Sequence, residues 1–439
     1  LRGDLSAVLF ALSQTALPNY AFVMIRIGIV GCGRILAAHL EGYKLLREAG
    51  VDGFEITALC SPKESDAQSY LKRNEGPPQR KAVSHIPGDP LAVSDQYLSD
   101  FQPDTRVAVY TDYREMIGNG SIDGVNDFSP HGLHHQVAHL CFQEKKHLLS
   151  QKPLAVSMAA ANQLCQQADR AGVTFGVFEN LRFARGIRQT QWAFSENGPA
   201  GNLQMILMGN VGTWWAPDLI VAETPWRHAL DQAGGITLDL GPHFFDMIRH
   251  IGNSEVSRIS GMTRVVEPLR YLIREGKKVD PVSCDADDTF FANFETKKGV
   301  TGTLFGSWAG HGTSTMISEG PVFYGSNGRV SGDNIQLDHQ DEPESLNDVY
   351  ERNASAEIKS LHFPMALEND FALAQLNWLQ AVESGSQPEC SGREGLLDLA
   401  CSFAVVESDL AGRSVSLDEV VNGSLREYQR PIDERFGLG

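Results

Sequence analysis

Apolar and polar positions follow one pattern in the first part of the chain and another in the rest. Ile25 to Val30 (IRIGIV) is apolar almost throughout, as in a strand covered on both faces. After a Gly-Cys-Gly turn, Leu36, Leu40, Leu45 and Leu46 recur at helical spacing. FEITALC, Phe54 to Cys60, supplies a second strand about 30 residues after the first, enough for a βαβ crossover and hence parallel pairing. Residues 61–106 contain GPPQR and HIPGDP and no sustained period, which predicts one helix plus a surface insertion. The alternation then resumes with a strand at RVAVY, a helix at YREMI capped by Asp112, a strand near GVNDF and a helix from Leu133 to Lys145. A strand at HLLS, a helix from Ser157 to Ala171 and the strand VTFGVF complete it. Repeated units of this kind predict a doubly wound parallel sheet.

After about Leu181 the strand-like runs LQMILMGNV, TFFANFE and GVTGTLFGSWA lie close together, the last two joined by the turn residues ETKK. Helical segments at GGITLDLGPHFFDMIRHIG, DFALAQLNWLQAVESG and EGLLDLACSFAVVESDLAG would cover one face of a largely antiparallel sheet, giving an α+β second domain. A length of 439 residues fits two domains. Residues 1–23 precede the first methionine, Met24, and are expected to lie outside the fold. The short apolar run Ala7 to Leu12 follows Asp4 and has only Arg2 as a basic flank, a weak match to a secretory signal.

With 42% hydrophobic and 21% charged residues the composition is that of a globular protein, and no apolar run reaches the roughly 18 residues of a membrane span. A net charge of −18 repels phosphate backbones and argues against nucleic acid as a partner. Seven scattered cysteines without C-x-x-C spacing point to neither a disulfide framework nor a zinc site and fit a reducing, cytoplasmic setting.

Chemistry concentrates at a few positions. In the strand–turn–helix of GCGRIL, Gly31 permits the tight turn and Gly33 lets a pyrophosphate approach the helix N-terminus, the signature of a dinucleotide site. The carboxylate that usually binds the NAD ribose at the end of the second strand is replaced by Ser61. Ser61 and Lys63 would suit a 2′-phosphate, Glu64 and Asp66 a ribose, so NAD and NADP both stand. Lys152 ends a parallel strand, where open α/β sheets place ligands, and Pro153 follows it. Asp239 and His243, four residues apart, would share one helix face, the carboxylate orienting an imidazole that takes a substrate proton; an ordinary surface ion pair has the same spacing, and Pro242 would suit a helix start. His131, His135 and His139 recur at every fourth position beside His134, but no cysteine or carboxylate is spaced to complete a metal site, and none is expected. His131 and His134 follow a strand end, where a cofactor or substrate contact is the better reading. Asn126 and Asp127 fall in a central strand and need partners, sought in the 61–106 insertion. Trp214 and Trp215 are placed to stack on a sugar ring or simply to pack.

Together GIVGCGRI, YTDYREMI, SPHGLHH, KKHLLSQKPLA, ENLRF from Glu179, PWR from Pro225, AGGITLDLGPHFFDMIRHIG and GREGLLDLACSFAVVESDLAGRSVSL make the chain resemble the glucose-fructose oxidoreductase, inositol dehydrogenase and rhizopine-catabolism (Gfo/Idh/MocA) family from about Met24 to near the C-terminus. The resemblance implies an N-terminal Rossmann domain over 24–181 and a substrate-binding and oligomerisation domain over 182–439 with a large, mostly antiparallel open sheet, assembled as a homodimer or homotetramer. It implies an NAD- or NADP-dependent oxidoreductase moving a hydride between nicotinamide and a sugar, glycoside or polyol. Alternatives within the same fold are an NAD-dependent glycosidase working by transient sugar oxidation and a non-catalytic cofactor-sensing regulator. Lys152, Asp239 and His243 are the implied catalytic set. Gly31, Gly33, Arg34, Ile35, Ser61, Lys63, Ser129, Pro130, His134, Gln151, Lys152 and Asn180 are implied around the cofactor, and Lys152, Arg182, Trp226, Arg227, Asp239 and His243 around the substrate. Gln151 departs from the family's E-K-P motif by replacing the glutamate.

Overall fold

Residues 24–86, 88–118, 121–212, 217–312, 314–316 and 320–438 are described in a computed structural model of the chain. The expected N-terminal extension, Trp214 and Trp215 lie outside them. The first sheet comprises β1 (Ile25–Val30), β2 (Phe54–Cys60), β3 (Ala108–Tyr110), β4 (Gly124–Asp127), β5 (His147–Gln151) and β6 (Phe175–Phe178), all parallel, in the order β3-β2-β1-β4-β5-β6. That is the doubly wound order, with the ligand crevice where β1 meets β4. Its helices are α1 (Leu36–Glu48), α2 (Glu64–Gln68), α3 (Tyr113–Gly118), α4 (His134–Gln143) and α5 (Met158–Ala171). Asp112 accepts from the Arg114 amide at 2.9 Å at the start of α3, and Ser157 caps α5, as the sequence predicts.

Two polar features of this sheet find partners close by. Asn126 Oδ1 accepts from Tyr43 Oη on α1 at 2.5 Å, and Asp127 Oδ1 from the Ser129 amide at 2.9 Å. The partners expected in the 61–106 insertion are therefore supplied by α1 and the β4 turn, which lie nearer in space. The insertion protects the sheet edge instead. β3 pairs with β2 only over Ala58–Cys60, and further along the strand the Gln102 amide bonds both Ile56 N (3.1 Å) and Ile56 O (2.8 Å), replacing a missing strand partner.

The second half continues with α6 (Arg185–Ala193), β7 (Leu203–Val211), α7 (Ile236–Gly252), β8 (Val256–Arg264), the hairpin β9 (Leu269–Arg274) and β10 (Lys277–Ser283), β11 (Thr289–Thr296) and β12 (Thr301–Ser307). β13 (Thr315–Met316), β14 (Val322–Gly325), β15 (Gly328–Ser331), β16 (Asn334–Leu337) and β17 (Glu344–Ser345) follow. Then come α8 (Leu346–Asn353), α9 (Ala356–His362), α10 (Asp370–Ser384), α11 (Gly392–Ala411), β18 (Val415–Ser416), α12 (Leu417–Val421) and α13 (Arg430–Phe436). The ten-stranded sheet has the order β17-β16-β15-β14-β7-β12-β11-β8-β18, with β13 also on β7. It is antiparallel except where β12 runs parallel to β7. Strand alternation gives it two unlike faces. Ile206, Met208, Ile259, Phe290, Ala292, Phe294 and Leu304 are buried, with α7 and α11 packed on this sheet. The registers Met262↔Phe291, Phe291↔Phe305 and Thr301↔Met205 put the exposed Met205, Met262 and Phe291 on the opposite face.

α10 lies not on this second sheet but on the first. It packs against α1, and the fully buried Trp378 sends its indole N–H to Leu148 O at 3.0 Å. The indole fills the space left by Gly124 and Gly176, where an added Cβ would meet Trp378 at 2.9 and 3.2 Å. Trp378→Ala therefore leaves a cavity and an unpaired Leu148 carbonyl. It should lower stability by about 3–5 kcal/mol in urea unfolding; a loss under about 1 kcal/mol would show that this contact does not join the two halves of the chain.

Candidate active site

The nucleotide cradle is built from β1, the glycine turn and α1. Gly31 adopts φ +97°, and a Cβ there would stand 2.4 Å from Phe128 O, so only glycine lets β1 and β4 approach at the crevice. A Cβ on Gly33 would meet nothing within 4 Å. That open space lies before α1, where the amides of Gly33, Arg34 and Ile35 find no acceptor among the described residues. Free amides at the start of a 13-residue helix are suited to an anionic group such as a pyrophosphate. At the facing end of β4, Ser129 carries a buried hydroxyl with no partner among the described residues, a further polar group left for a ligand. The residues therefore fit a dinucleotide. Ser61 is buried at the end of β2, with exposed Lys63 just before α2. Pro130 is exposed beside Ser129.

Several expected cofactor contacts have other partners. Arg34 turns its guanidinium to Lys81 O (3.1 Å) and Glu223 (2.8 Å), leaving its backbone amide to face the cradle. The two ring nitrogens of His134 bond Ser129 O and Pro153 O, both at 2.9 Å, so it braces the β4 and β5 loops against each other. Gln151 bonds the Nε2 of buried His39 at 2.8 Å, and Asn180 bonds Asp370 on α10 at 2.6 Å. Arg182, expected at the substrate, is buried in ion pairs with Asp246 and Glu394 and bonds Glu389 O at 2.7 Å; that network satisfies a charge that could not be left alone in the interior. His131 bonds Ala155 O at 3.2 Å, and His139 bonds Gln167 and Gln143.

Lys152, Asp239 and His243 do come together, but Asp239 is paired with cations rather than with His243. The Lys152 ammonium donates to Asp239 Oδ1 at 3.1 Å and also to the Asp239 backbone carbonyl. Arg227 Nε donates to Asp239 Oδ2 at 3.2 Å, and its guanidinium lies 4.5 Å from the Trp226 ring centre. Pro242 sits inside α7 rather than opening it; lacking an N–H, it leaves the Leu238 carbonyl, one residue before the Asp239 carbonyl that receives Lys152, without its helical donor. The expected Asp239–His243 pair is absent. Asp239 is held by two cations, and His243 Nδ1 bonds Glu179 Oε1, leaving Nε2 without a partner among the described residues.

Glu179 was not singled out from the sequence. It directly follows β6, the same position relative to its strand that drew attention to Lys152 after β5, and it is 1% exposed. Burial pushes its carboxyl well above the usual range, Asp246 adds to this, and Lys152 and Arg182 oppose it. Burial likewise lowers the His243 imidazole to about 3, helped by Lys152 and resisted by Asp239 and Asp246. Burial also works to raise the Asp239 carboxyl, but Arg227 and Lys152 outweigh it and hold Asp239 well below the ordinary range. The site thus combines a permanent carboxylate, a fixed ammonium and a neutral imidazole steadied by a second carboxyl group.

Residues 25–179 match the oxidoreductase family with an NAD-binding Rossmann fold, and residues 189–331 match the GFO/IDH/MocA C-terminal domain. The chain belongs to the Gfo/Idh/MocA oxidoreductase family. Among Gfo/Idh/MocA relatives it is similar to a myo-inositol 2-dehydrogenase of Thermotoga maritima, 26% identical over 90% of this chain and 99% of the relative. It is also similar to a 1,5-anhydro-D-fructose reductase of Ensifer adhaerens, 24% identical over 70% of this chain and 84% of the relative. The fold matches that of a levoglucosan dehydrogenase solved with NADH and L-sorbose, with a TM-score of 0.68, 16% identity, and 90% and 99% of the two chains covered.

The cradle separates two glycine substitutions. Gly33→Ala should fold normally, within about 0.5 kcal/mol of the parent, yet bind dinucleotide roughly tenfold more weakly because the new methyl enters the ligand's space. Gly31→Ala should instead lower thermal stability. Unchanged cofactor affinity in Gly33→Ala, measured by calorimetry, would rule out this turn as the pyrophosphate site.

Proposed function

We propose that the chain interconverts a secondary alcohol and a ketone on a sugar, glycoside or polyol, using NAD or NADP. The observation that carries this reading is the Lys152–Asp239 and Glu179–His243 pairing at the ends of β5 and β6, at the same edge of the parallel sheet as the glycine turn that ends β1. The chemistry supplied by a nicotinamide dinucleotide in that cradle is hydride exchange with the substrate carbon. Lys152 donates a hydrogen bond to the reacting oxygen from a position fixed by Asp239, and Arg227 and Trp226 border the substrate. His243 Nε2 takes the hydroxyl proton in oxidation and returns it in reduction. Glu179 fixes the ring through Nδ1, so that Nε2 faces the reaction. The names of the relatives support a polyhydroxylated substrate: myo-inositol, anhydrofructose and D-apiose.

The exposed Met205, Met262 and Phe291 face of the second sheet supports association with a second copy as a homodimer or homotetramer. No helix among the described residues is long and apolar enough to cross a membrane. Seven free, buried cysteines support a reducing compartment, the cytoplasm.

Incubation with inositols, aldoses and anhydrosugars, following nicotinamide absorbance together with sugar products, tests the reaction class. Stoichiometric cofactor reduction is expected; free sugar released from a glycoside without reduced cofactor would identify a glycosidase instead. His243→Ala should cut turnover by about 10²–10⁴ while leaving dinucleotide affinity nearly unchanged. Glu179→Gln should lower turnover by roughly tenfold or more with KM little altered, because it leaves the binding groups in place. Parallel losses of turnover and cofactor affinity in both variants would remove the acid–base assignment.

The low His243 pKa fixes the sign of the pH dependence. The imidazole must be unprotonated to accept a proton, and its value of about 3 keeps it so down to acidic pH. Oxidation should therefore show no acid limb near the ordinary histidine value of about 6.5. A kcat/KM profile falling tenfold per pH unit from there would contradict a buried, neutral base.

A further inference from the structure

The segment between β2 and β3 turns back toward the glycine turn, and three consecutive residues fix its course. Gln79 Nε2 donates to Gln96 O at 2.7 Å and to Ser69 O at 3.3 Å. Arg80 forms an ion pair with Asp66 on α2. Lys81 O accepts from Arg34 Nε at 3.1 Å, and Arg34 directly follows Gly33. A fourth tie comes from Tyr70 of the same segment, whose hydroxyl donates to Gly33 O at 2.8 Å. Arg80 is thus held between α2, which follows the end of β2, and the first residues of the glycine turn. Burial pushes the Cys32 thiol of that turn upward and Arg80 works against it, which places the guanidinium within electrostatic reach of the turn.

Basic and acidic residues interleave here: exposed Lys63 directly precedes α2, which carries Glu64 and Asp66, Arg80 pairs with Asp66, Lys81 follows Arg80 in the chain, and Arg34 is spent on Glu223. Lys63 and Lys81 have no carboxylate partner among the described residues. The Arg80 side chain is 46% exposed and gives one terminal nitrogen to Asp66; no other described residue accepts from it, so the rest of its donor fork is free. At the end of β2 the buried Ser61 stands where an NAD site has a carboxylate, and a hydroxyl neither repels a phosphate nor chelates a ribose diol.

We propose that Arg80 determines cofactor choice: the chain selects NADP over NAD by presenting Arg80, with Lys63 and Lys81 beside it, to the ribose 2′-phosphate. A guanidinium fork suits that group, and the two lysines neutralise the charge left over. This rests on the dinucleotide reading of the cradle and deepens it, giving the long connection a role in specificity.

Calorimetric titration of the full chain with NADP⁺ and with NAD⁺, without substrate, tests it independently of turnover. NADP⁺ should bind at least about tenfold more tightly. Arg80→Ala should raise the NADP⁺ Kd about tenfold or more and leave the NAD⁺ Kd within about twofold, with Arg80→Lys recovering part of the loss. Lys81→Ala, which breaks no ion pair in the fold, should cost NADP⁺ about two- to threefold, and unchanged melting temperatures should accompany each variant. Equal affinity of the native chain for both dinucleotides, or equal weakening of both by Arg80→Ala, overturns the selectivity assignment and leaves the cradle standing. A native chain that binds neither dinucleotide overturns both.

Discussion

An ammonium group in a half-dry crevice must have a counter-charge, and the pairing of Lys152 with Asp239 meets that requirement. Lys152 ends a strand of the first sheet, and Asp239 lies on a helix packed against the second. Their contact joins the end of β5 to the helix that carries the proposed proton carrier, His243. Arg227 and Lys152 together outweigh burial at Asp239, so Arg227 belongs to the same unit. Trp226 is drawn in through its stacking with Arg227.

The replacement of the family's glutamate by Gln151 acquires a physical meaning in this setting. Gln151 bonds a histidine, His39, that lies stacked on Phe128 at 3.6 Å and is held uncharged by complete burial. A neutral amide matches a neutral ring, whereas a carboxylate there would be buried without a cation of its own. The acidic group near the reacting centre is found instead at Glu179, one strand further along the sheet, where it steadies His243 rather than Lys152. Carboxyl chemistry is retained in the crevice but serves a different side chain.

Much of this was legible in the sequence because it depends on period and position along the chain. Apolar runs joined by helical stretches specify a parallel sheet, and residues at strand ends point to its crevice, which singled out Gly31, Gly33 and Lys152, while helical spacing singled out His243. Pairings across long separations were not legible. Four-residue spacing correctly put Asp239 and His243 on one helix, yet it could not show that Lys152 and Arg227 compete for the carboxylate and Glu179 for the imidazole. Arg182 and Asn180 stand out by motif, but the sequence could not show that Asp246 and Asp370 approach from distant segments to bond their side chains. The parallel pairing of β7 with β12 is hidden for the same reason: alternation defines a strand's faces and leaves its direction open.

The position of Trp378 also bears on how the molecule is made. The carbonyl it binds lies 230 residues earlier in the chain, and the hollow it fills is framed by glycines of β4 and β6. As the polypeptide leaves the ribosome, the strands of the first sheet can assemble long before α10 exists to close that hollow. The nascent protein therefore carries an open apolar notch from the time β6 is made until α10 follows it, and the completed sheet depends on a segment translated long after its own strands.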